Sequence, residues 1–593
     1  MLPSSPAALL RNALRLLVPL SVVITAHLYL FPVFQRCAFP LPGDPRGADP
    51  DGRWNAFVET ARLHAPWADR NEGTASPSAP RPKLAEFRLL ALGDPQLEGD
   101  TSIPNAHGSS FPHLTSILEH LTFRSEHASL RERVRQGLHD VVDFYFEDIP
   151  NTLESIRKRV DLLGNDFYLA HIYRLVRWWT APTHVSVLGD LLGSQWIEDD
   201  EFEKRARRYW KRVVRGGERV PDELALYPVD EYDLAGYLGT GANNETEAWA
   251  RRIINVAGNH DIGYAGDVNE ERLARFERLF GKVNYELRFE IPPSSLSPAG
   301  AASILDEESN PHSTRLLPEL RVVNLNDMNL DTPALSGEIQ DATYGFINAV
   351  INTASAVEYQ GHFTVVLTHV PLFKPEGVCV DPPHFAFHEH DGTLQEQNQL
   401  SADASRGFLE GIFGMHGNTD APGRGRGRPG IILNGHDHEG CDTFHYINQL
   451  QGAGADDRAW EAMPWIPARD GGVVGKPGHP GIREITVRSM MGDFGGNAGL
   501  LSVWFDEADW QWKAEFATCA LGRQHYWWAV HILDLVTVVG LAAYVVLAGL
   551  GAAGLDVDRW PTALLRGAGK AVSRPPAPET TGNGAAKVPT GPA

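Results

Sequence analysis

Basic residues, cysteines and long apolar runs are all scarce in this chain of 593 residues. Lysine and arginine together number 53, against 75 aspartates and glutamates, which leaves a formal net charge of −22. A nucleic-acid partner needs a basic footprint, so this charge balance argues against nucleic acid as a partner. The composition is otherwise that of an ordinary globular protein, with 43% apolar and 22% charged residues and no internal repeat. It therefore allows one large domain with insertions and a sizeable core.

Only two segments are apolar over a length that could cross a bilayer, residues 16–34 and 527–552. Tyr526, Trp527 and Trp528 at the start of the second segment suit an interfacial aromatic belt. The first segment is longer than the apolar part of a usual signal peptide, and no small-x-small cleavage site follows it. We therefore expect two retained transmembrane helices rather than a cleaved signal peptide and one span.

The orientation of these helices follows from their basic flanks. Those flanking residues are Arg11, Arg15, Arg559, Arg566, Lys570 and Arg574. The positive-inside rule then places both termini in the cytosol and residues of about 36–525 on the lumenal side. The charges do not distinguish the endoplasmic reticulum, the Golgi and the cell surface.

The predicted organisation consists of seven consecutive segments. They are a cytosolic N-terminus (1–15), a transmembrane helix (16–34), a lumenal stalk (35–83), a folded domain (84–511), a lumenal linker (512–526), a transmembrane helix (527–552) and a cytosolic disordered tail (553–593). Within the domain, strand-like runs alternate with helical segments, which predicts a layered α/β architecture with mixed sheets. Residues 112–180 are predicted to be mainly helical, because apolar residues recur at three and four positions.

Five short segments carry the residue types that a two-metal site needs. They are GDPQ at 93–96, GDLLG at 189–193, GNHD at 258–261, THVP around His369 and GHDH at 435–438. Most follow an apolar, β-branched run, and a buried strand that ends in a glycine-marked turn delivers ligands to one edge of a sheet. Two divalent cations held there can act on both the attacking and the leaving oxygen of a phosphoryl displacement. The motifs therefore predict a hydrolase acting on phosphate esters.

These ordered motifs resemble the signature of the calcineurin-like metallophosphoesterases, which reads D-x-H, G-D-x-x-D, G-N-H-D/E, a lone histidine and G-H-x-H. The resemblance implies a four-layer αββα sandwich. It assigns the first metal to Asp94, Gln96, Asp190 and His438, and the second to Asp190, Asn259, His369 and His436. It also implies that His260 protonates the leaving oxygen or stabilises the phosphorane, and that Asp261 orients the imidazole of His260.

The sequence departs from that signature at two positions. Gln96 replaces the histidine of the first motif, and Gly193 replaces the closing aspartate of the second. An amide binds metal more weakly than an imidazole, so Gln96 is either a ligand or a hydrogen-bonding neighbour of the ligands. The change favours a hard ion such as Mn²⁺ over Zn²⁺. Zn²⁺ and iron are the alternatives to Mn²⁺.

The departures also narrow the resemblance to one branch. GDPQ, GDLLGSQW at 189–196, NDFYLAHIYR at 165–174 and the two flanking spans are similar to the fungal and animal membrane-anchored phosphoesterases that remodel GPI anchors. The resemblance implies a manganese-dependent phosphodiesterase of the endoplasmic reticulum membrane, or of the Golgi. It would remove an ethanolamine-phosphate side branch from a mannose of GPI anchors and so support export of GPI-anchored proteins, in contact with cargo-sorting receptors. A lumenal phosphomonoesterase or polyphosphatase, and a catalytically weak adaptor for GPI-anchored cargo, are the alternatives.

The four cysteines, Cys37, Cys379, Cys441 and Cys519, all lie in the predicted lumenal part, where disulfides are permitted. Cys379 follows His369 by ten residues and Cys441 follows His438 by three. If both histidines bind one metal centre, the two thiols lie near each other. We predict a Cys379–Cys441 bridge, with unpaired buried cysteines as the alternative.

Three further features have a structural and a functional interpretation. Asn324, Asn326 and Asp327 end a strand and are expected to form a turn, with the rim of the site as the alternative. The GRGRGR run at 423–428 is expected to be a solvated loop. Asp534 lies within the second apolar run, where a carboxylate is costly, so we expect a helix–helix or cargo-receptor contact there.

Overall fold

The computed structural model of this chain describes residues 6–43, 50–65, 83–106, 108–124, 129–229, 234–239, 244–304, 315–452, 454, 457–555 and 557. It divides the chain into two compact units. One unit consists of the chain ends, up to Leu28 and from Trp528, and the other is Tyr29–Trp527. Residues 44–49 and 66–82 of the predicted stalk and most of the predicted tail (from 558) lie outside the described residues.

The described helices, numbered in chain order, are α1 (Pro6–Tyr29), α2 (Phe31–Phe34), α3 (Pro50–Leu63), α4 (Pro112–Leu121), α5 (Leu130–Asp143), α6 (Ile149–Thr180), α7 (Asp199–Arg208), α8 (Asn244–Trp249), α9 (Asn259–Ile262), α10 (Glu270–Phe280), α11 (Pro298–Ala301), α12 (Gly337–Asn352), α13 (Ala402–Ile412), α14 (Trp465–Asp470) and α15 (Gln524–Ala552). The described strands are β1 (Phe87–Leu92), β2 (His184–Val187), β3 (Glu218–Arg219), β4 (Gly236–Tyr237), β5 (Arg252–Asn255), β6 (Tyr285–Glu290), β7 (Arg315–Asn324), β8 (Gln360–Leu367), β9 (Phe385–Phe387), β10 (Leu394–Gln397), β11 (Gly430–Asn434), β12 (Cys441–Ile447), β13 (Trp460–Pro464), β14 (Gly481–Thr486), β15 (Asn497–Asp506) and β16 (Gln511–Ala520).

Helices α1 and α15 are long and apolar enough to cross a membrane. The carboxylate of Asp534 on α15 accepts hydrogen bonds from two hydroxyl groups of α1. Thr25 donates to Oδ2 at 2.9 Å, and Ser21 donates to Oδ1. A carboxylate among apolar residues needs such partners. Of the two contacts considered for Asp534, the structure shows the one between helices.

Two large sheets form the core of the other unit. The strand order is β16-β15-β1-β2-β5-β3 in the six-stranded sheet and β13-β12-β14-β11-β8-β7-β6-β4 in the eight-stranded sheet. Side chains of both sheets, among them Leu89 and Ile254 of the first and Val322, Val365 and Leu433 of the second, share one buried cluster. Both sheets mix parallel and antiparallel pairs, so the predicted α/β class with mixed sheets is confirmed.

The parallel strands position the motifs. In the first sheet β1, β2 and β5 are mutually parallel neighbours, and in the second β8 is parallel to β11. Each of the five motifs follows the end of one of these strands. Because parallel strands end at the same edge of a sheet, all five motifs are delivered to one edge of the paired sheets.

The insertion between β1 and β2 is helical, as its apolar periodicity predicts, and contains α4, α5, a π-helical turn (Phe144–Asp148) and α6. Of the apolar residues that show this periodicity, those near the end of α6, namely Ile172, Leu175 and Val176, are buried in the core. Leu114, Leu118 and Leu121 are exposed in the structure.

The Tyr29–Trp527 unit contains two disulfides. The predicted Cys379–Cys441 bridge is present, which confirms the prediction. Cys37 pairs with Cys519 across a sequence separation of 482 residues. This second bridge joins the first and last parts of the Tyr29–Trp527 unit.

Candidate metal centre

The motif turns have an unusual backbone. Asp94, Gln96, Asp190 and His436 all have positive φ values, of 45°, 40°, 50° and 73°. Residues other than glycine rarely adopt this conformation, which costs on the order of 1–3 kcal/mol each and persists where the surrounding structure enforces it. Four such residues in three separate motifs indicate that the turns are shaped to aim side chains at a common point.

Asp190 lies at that point. Its Oδ1 accepts a hydrogen bond from the backbone N–H of His260 at 2.9 Å and lies 3.3 Å from Nε2 of His369. Its Oδ2 accepts a hydrogen bond from the Gln96 amide at 2.9 Å and lies 3.8 Å from Nε2 of His260. The carboxylate thus faces residues of three other motifs, as a bridging ligand must.

Asn259 joins two of the imidazoles. Its Oδ1 lies 3.0 Å from Nε2 of His369 and 3.0 Å from Nδ1 of His436. The other nitrogen of each ring lies near a backbone carbonyl, Leu188 at 2.8 Å for His369 and Gln397 at 2.9 Å for His436. Such carbonyl contacts fix the ring orientation and the tautomer of metal-binding histidines. The amide oxygen and both rings are therefore directed to one place.

Asp94, Asp190 and His369 form a buried group suited to a cation, since one ligand atom from each lies within 4.8 Å of the others. Burial, and then the nearby Asp190, raise the pKa of Asp94 well above its usual range. The Oδ2 atom of Asp94 is buried without a hydrogen-bond partner. Burying two adjacent carboxylates without a cation is costly. The donor set therefore fits a divalent metal, which would supply the missing partner of Asp94.

Burial likewise lowers the pKa of His436 to about 3, with the neighbouring His369 adding to the effect. It also lowers the pKa of His438 and of His369. The three rings are therefore neutral at physiological pH, and a neutral imidazole is the form that binds metal.

Gln96 and His438 form the side of the site nearest to the end of β1. The Gln96 amide nitrogen donates to Asp190 and lies 3.2 Å from Nε2 of His438. The ring of His438 packs against Phe494, with 4.8 Å between the ring centroids. The structure thus shows Gln96 in the hydrogen-bonding arrangement, and metal ligation by its oxygen stays a prediction.

His260 and Asp261 have different environments. The side chain of His260 is 39% exposed, which leaves its ring open to an incoming molecule. The Asp261 carboxylate is buried and accepts hydrogen bonds from the backbone N–H groups of Leu191, Leu192 and Gly258, at 2.9–3.1 Å. These bonds tie the third motif to the turn that carries Asp190. The orientation of the His260 imidazole by Asp261 stays a prediction.

Two buried acids that support the site are not evident from the motifs. Oδ1 of Asp327 accepts hydrogen bonds from the backbone N–H groups of His369 and Val370, at 3.3 and 3.2 Å. Burial raises the pKa of Asp327 to about 7. Asp327 therefore has a supporting role at the base of the site, beyond that of a turn residue. In the sequence, the feature that could indicate this role is the position of Asp327 just after strand β7.

Glu484 is the second of these acids. Oε1 accepts hydrogen bonds from the backbone of Leu372 at 2.7 Å and from the amide of Asn434 at 2.6 Å. Oε2 pairs with Nζ of Lys374 at 2.7 Å and with Nε2 of His445 at 2.6 Å. Glu484 thereby links the turn after β8, which holds His369, to the end of β11, which precedes His436. No sequence motif marks this residue.

Comparison with known proteins gives the family. The chain is 33% identical to Protein TED1 of Saccharomyces cerevisiae over 422 residues, which cover 64% of this chain and 77% of that protein. It is 25% identical to an uncharacterized protein of Schizosaccharomyces pombe over 393 residues, covering 63% of this chain and 78% of that protein. It is 22% identical to Metallophosphoesterase 1 of Danio rerio over 289 residues, covering 48% of this chain and 60% of that protein. No family model matches the chain. The chain therefore belongs to the metallophosphoesterase-related family that its motifs predict, together with the yeast protein TED1.

Proposed function

We propose that the protein is a metal-dependent phosphodiesterase of the early secretory pathway that removes an ethanolamine-phosphate side branch from a mannose of GPI anchors. In this role it supports export of GPI-anchored proteins. The observation that carries the proposal is the convergence of five motifs around Asp190, the last of them through contacts of its histidines with Gln96 and Asn259, in a chain with a helix suited to a membrane span near each end. The family resemblance supplies the substrate, and a four-layer αββα sandwich is part of the same proposal.

Asp94, Asp190 and His438 would hold one cation, with Gln96 beside it, and Asp190, Asn259, His369 and His436 would hold the other. When bound, the two divalent cations supply Lewis-acid polarisation of the phosphoryl group and lower the pKa of water. We propose Mn²⁺ in both sites, because carboxylate and amide oxygens make up much of the donor set.

The remaining chemistry is that of the chain itself. His260 is half-exposed and reaches within 3.8 Å of Oδ2 of Asp190, so its imidazole borders the place where the ester would lie. Protonated, it can give its proton to the mannose oxygen as the P–O bond breaks, while water adds to phosphorus. The rings of His369 and His436 are neutral and buried, and each lies 3.0 Å from Oδ1 of Asn259. This arrangement leaves the acid role to His260.

The disulfides and the candidate spans support the compartment that we propose. Both bridges lie in the Tyr29–Trp527 unit, and disulfides persist in oxidising compartments. We propose that this unit is in the lumen of the endoplasmic reticulum and that both termini are cytosolic. The substrate would then be a membrane-attached glycan in the same lumen.

The test is mass spectrometry of GPI glycans from cells that lack the protein. We expect the glycans to retain ethanolamine phosphate on a mannose and the wild-type protein to restore its removal. Unchanged glycans would contradict the proposal. Release of inorganic phosphate from simple monoesters, with unchanged GPI glycans, would instead favour a phosphomonoesterase or polyphosphatase.

Two variants separate an enzyme from an adaptor. Asp190→Asn should lower both metal content and removal of ethanolamine phosphate, whereas Asp341→Asn, an exposed carboxylate of α12, should lower neither. His260→Ala should retain the metals and lose removal by about 10²–10⁴-fold, with the exposed His390→Ala as its control. An adaptor would continue to support cargo export when carrying His260→Ala.

A further inference from the structure

The helical insertion between β1 and β2 exposes an unusual number of large apolar side chains. We call its described residues from Phe111 to Phe167, excluding 125–128, the helical arm. Its exposed apolar residues lie on or next to α4, α5, the π-helical turn and the part of α6 up to Phe167: Phe111, Leu114, Leu118, Leu121, Phe123, Leu130, Val134, Leu138, Val141, Val142, Tyr145, Phe146, Leu153, Ile156, Val160, Leu163 and Phe167. Phe146 is 80% exposed and Leu121 is 70% exposed. A soluble protein rarely leaves so many large apolar side chains of one segment in water, and such exposure indicates an interaction surface.

On α6 these residues form one stripe. Leu153, Ile156, Val160, Leu163 and Phe167 recur at intervals of three and four residues, which places them on one face of the helix. The charged residues of the same stretch lie on other faces. The stripe therefore belongs to an amphipathic helix whose apolar side is largely exposed, with the guanidinium of Arg212 over the ring of Phe167 at 5.2 Å from its centroid.

The interior of the helical arm is polar. Asp148 is buried and lies 2.7 Å from Nδ1 of His113, and Asp140 is buried and lies 3.3 Å from Nε2 of His120. Ser116 also donates a hydrogen bond to Asp140, at 2.7 Å. The Asp148 carboxylate raises the pKa of His113, which strengthens this pair.

The helical arm thus buries polar groups and exposes large apolar side chains, beside charged ones such as Arg131, Glu132 and Arg157. A protein in water is expected to bury large apolar side chains instead. In a bilayer, by contrast, polar groups must find partners within the protein while apolar side chains face lipid. Amphipathic helices that lie in the interfacial layer insert their apolar side chains about 5–10 Å below the headgroups. The polarity of the helical arm suits this environment.

The base of the helical arm lies beside the residues that lead into the candidate spans. The hydroxyl of Tyr168 donates to the backbone carbonyl of Gly522 at 2.5 Å, and Tyr29 packs edge-on against His171, with 5.1 Å between ring centroids. Gly522 precedes α15 by two residues, and Tyr29 is the last residue of α1. A membrane that contains the two spans would therefore begin close to the base of the helical arm.

We propose that the helical arm lies in the interfacial layer of the membrane that anchors the protein, with its apolar side chains in contact with lipid. Helix α6 continues without interruption from the helical arm into the buried core of the domain. The strands on either side of the insertion, β1 and β2, carry Asp94 and Asp190. The helical arm is thus connected to the metal centre through α6 and these two strands. The inference rests on the candidate spans and the polarity of the helical arm, and not on the proposed substrate.

The test uses the absence of free cysteines among the described residues, where all four cysteines are in disulfides. The full chain carrying Phe146→Cys or Leu121→Cys is labelled with an environment-sensitive fluorophore and reconstituted into phosphatidylcholine vesicles. Two single-cysteine controls are Arg157→Cys, on a charged face of α6 and 62% exposed, and Leu450→Cys, an apolar residue in a remote loop that is 69% exposed. Quenching is measured with nitroxide-labelled lipids and with aqueous iodide.

We expect the labels at Phe146 and Leu121 to be quenched severalfold more by nitroxide lipid, and severalfold less by iodide, than the label at Leu450. Phosphatidylcholine suffices because the contact is apolar and requires no anionic lipid. Iodide quenching equal to that at Leu450 would overturn the proposal. Shielding from both quenchers would also overturn it, since a second copy of the chain would then cover the surface.

Folding of each labelled protein is checked by its turnover of a soluble phosphodiester. As a second variant, Phe146→Asp with Leu153→Asp should keep that turnover while a label at Leu121 becomes accessible to iodide. If iodide quenching of the Leu121 label is unchanged in this variant, the proposal is overturned. If no phosphodiester is hydrolysed by any form, the proposed function fails, and retained metal content serves as the check on folding for the quenching experiment.

Discussion

Gly189 offers a direct test of how tightly the metal centre is packed. A Cβ atom at this position would lie 2.1 Å from Nδ1 of His369 and 2.7 Å from its Cγ. His369 cannot move away easily, because it is fully buried and its ring lies 2.8 Å from the carbonyl of Leu188 and 3.0 Å from Oδ1 of Asn259. Gly189→Ala should therefore displace this imidazole.

The energetic cost of Gly189→Ala has two parts. Gly189 has a φ of +93°, so alanine there costs on the order of 1–3 kcal/mol in backbone strain. Overpacking the side chain against His369 adds about 1–3 kcal/mol. A displacement of about 1 Å at a catalytic site costs on the order of 100-fold in rate. We expect Gly189→Ala to lower phosphodiester turnover by this factor and to reduce the bound metal.

Gly193 is the matched control, four residues further along the same turn. A Cβ atom there would lie 3.4 Å from the nearest atom, the carbonyl oxygen of Gln96, and the residue is not among those with positive φ. The assay compares purified Gly189→Ala and Gly193→Ala for turnover of a soluble phosphodiester and for metal content by mass spectrometry. Turnover by Gly189→Ala within a fewfold of the Gly193→Ala value would refute the reasoning.

Three further predictions concern the stability of the domain. Burial lowers the pKa of His184 to about 3, so its neutral form stabilises the folded state above pH 6.5, and that stability is lost as the pH falls towards 3. Between pH 7 and 5 the loss in the free energy of unfolding should be about 2 kcal/mol. His184→Phe should make this free energy, measured by denaturant unfolding, depend less on pH. The same pH dependence in both proteins would contradict this. Glu484→Gln should destabilise the fold by about 3–5 kcal/mol, because it leaves the buried Lys374 without its counter-ion. Adding Lys374→Met should recover much of the unfolding midpoint, and a single variant as stable as the wild type would refute the role given to the pair. Removing the Cys379–Cys441 bridge, which closes a separation of 62 residues, should cost about 4 kcal/mol, so a Cys379→Ser/Cys441→Ser variant with an unchanged unfolding temperature would contradict the entropic argument.

The spans and the motif residues could be predicted from the sequence because their signals are local. An apolar run long enough for a bilayer is visible without any tertiary contact, as for α1 and α15. Asp94, Asp190 and His369 could be identified because each follows a buried strand. Strands that carry ligands end at one sheet edge, so the order of the motifs was sufficient to predict that these residues converge.

The hydrogen-bond partners of Gln96 were decided only in the tertiary structure. A glutamine in the first motif is consistent with ligation or with hydrogen bonding, and only its position beside Asp190 and His438 distinguishes the two arrangements. The same holds for Glu484, which is an ordinary strand residue in sequence. Its partners come from three other segments and meet it only when the second sheet is assembled.

In the helical arm, too, one feature is determined by the sequence and another by the tertiary structure. The spacing of Leu114, Leu118 and Leu121 determined that the segment is helical, since helical periodicity follows from backbone geometry alone. Which face of the helix is covered depends on what packs against it, and here the polar side chains take the inside. The pairing of Cys37 with Cys519 was likewise decided by the fold, because the backbone must bring residues 482 positions apart to a Cα separation of 5.3 Å before the bond can form.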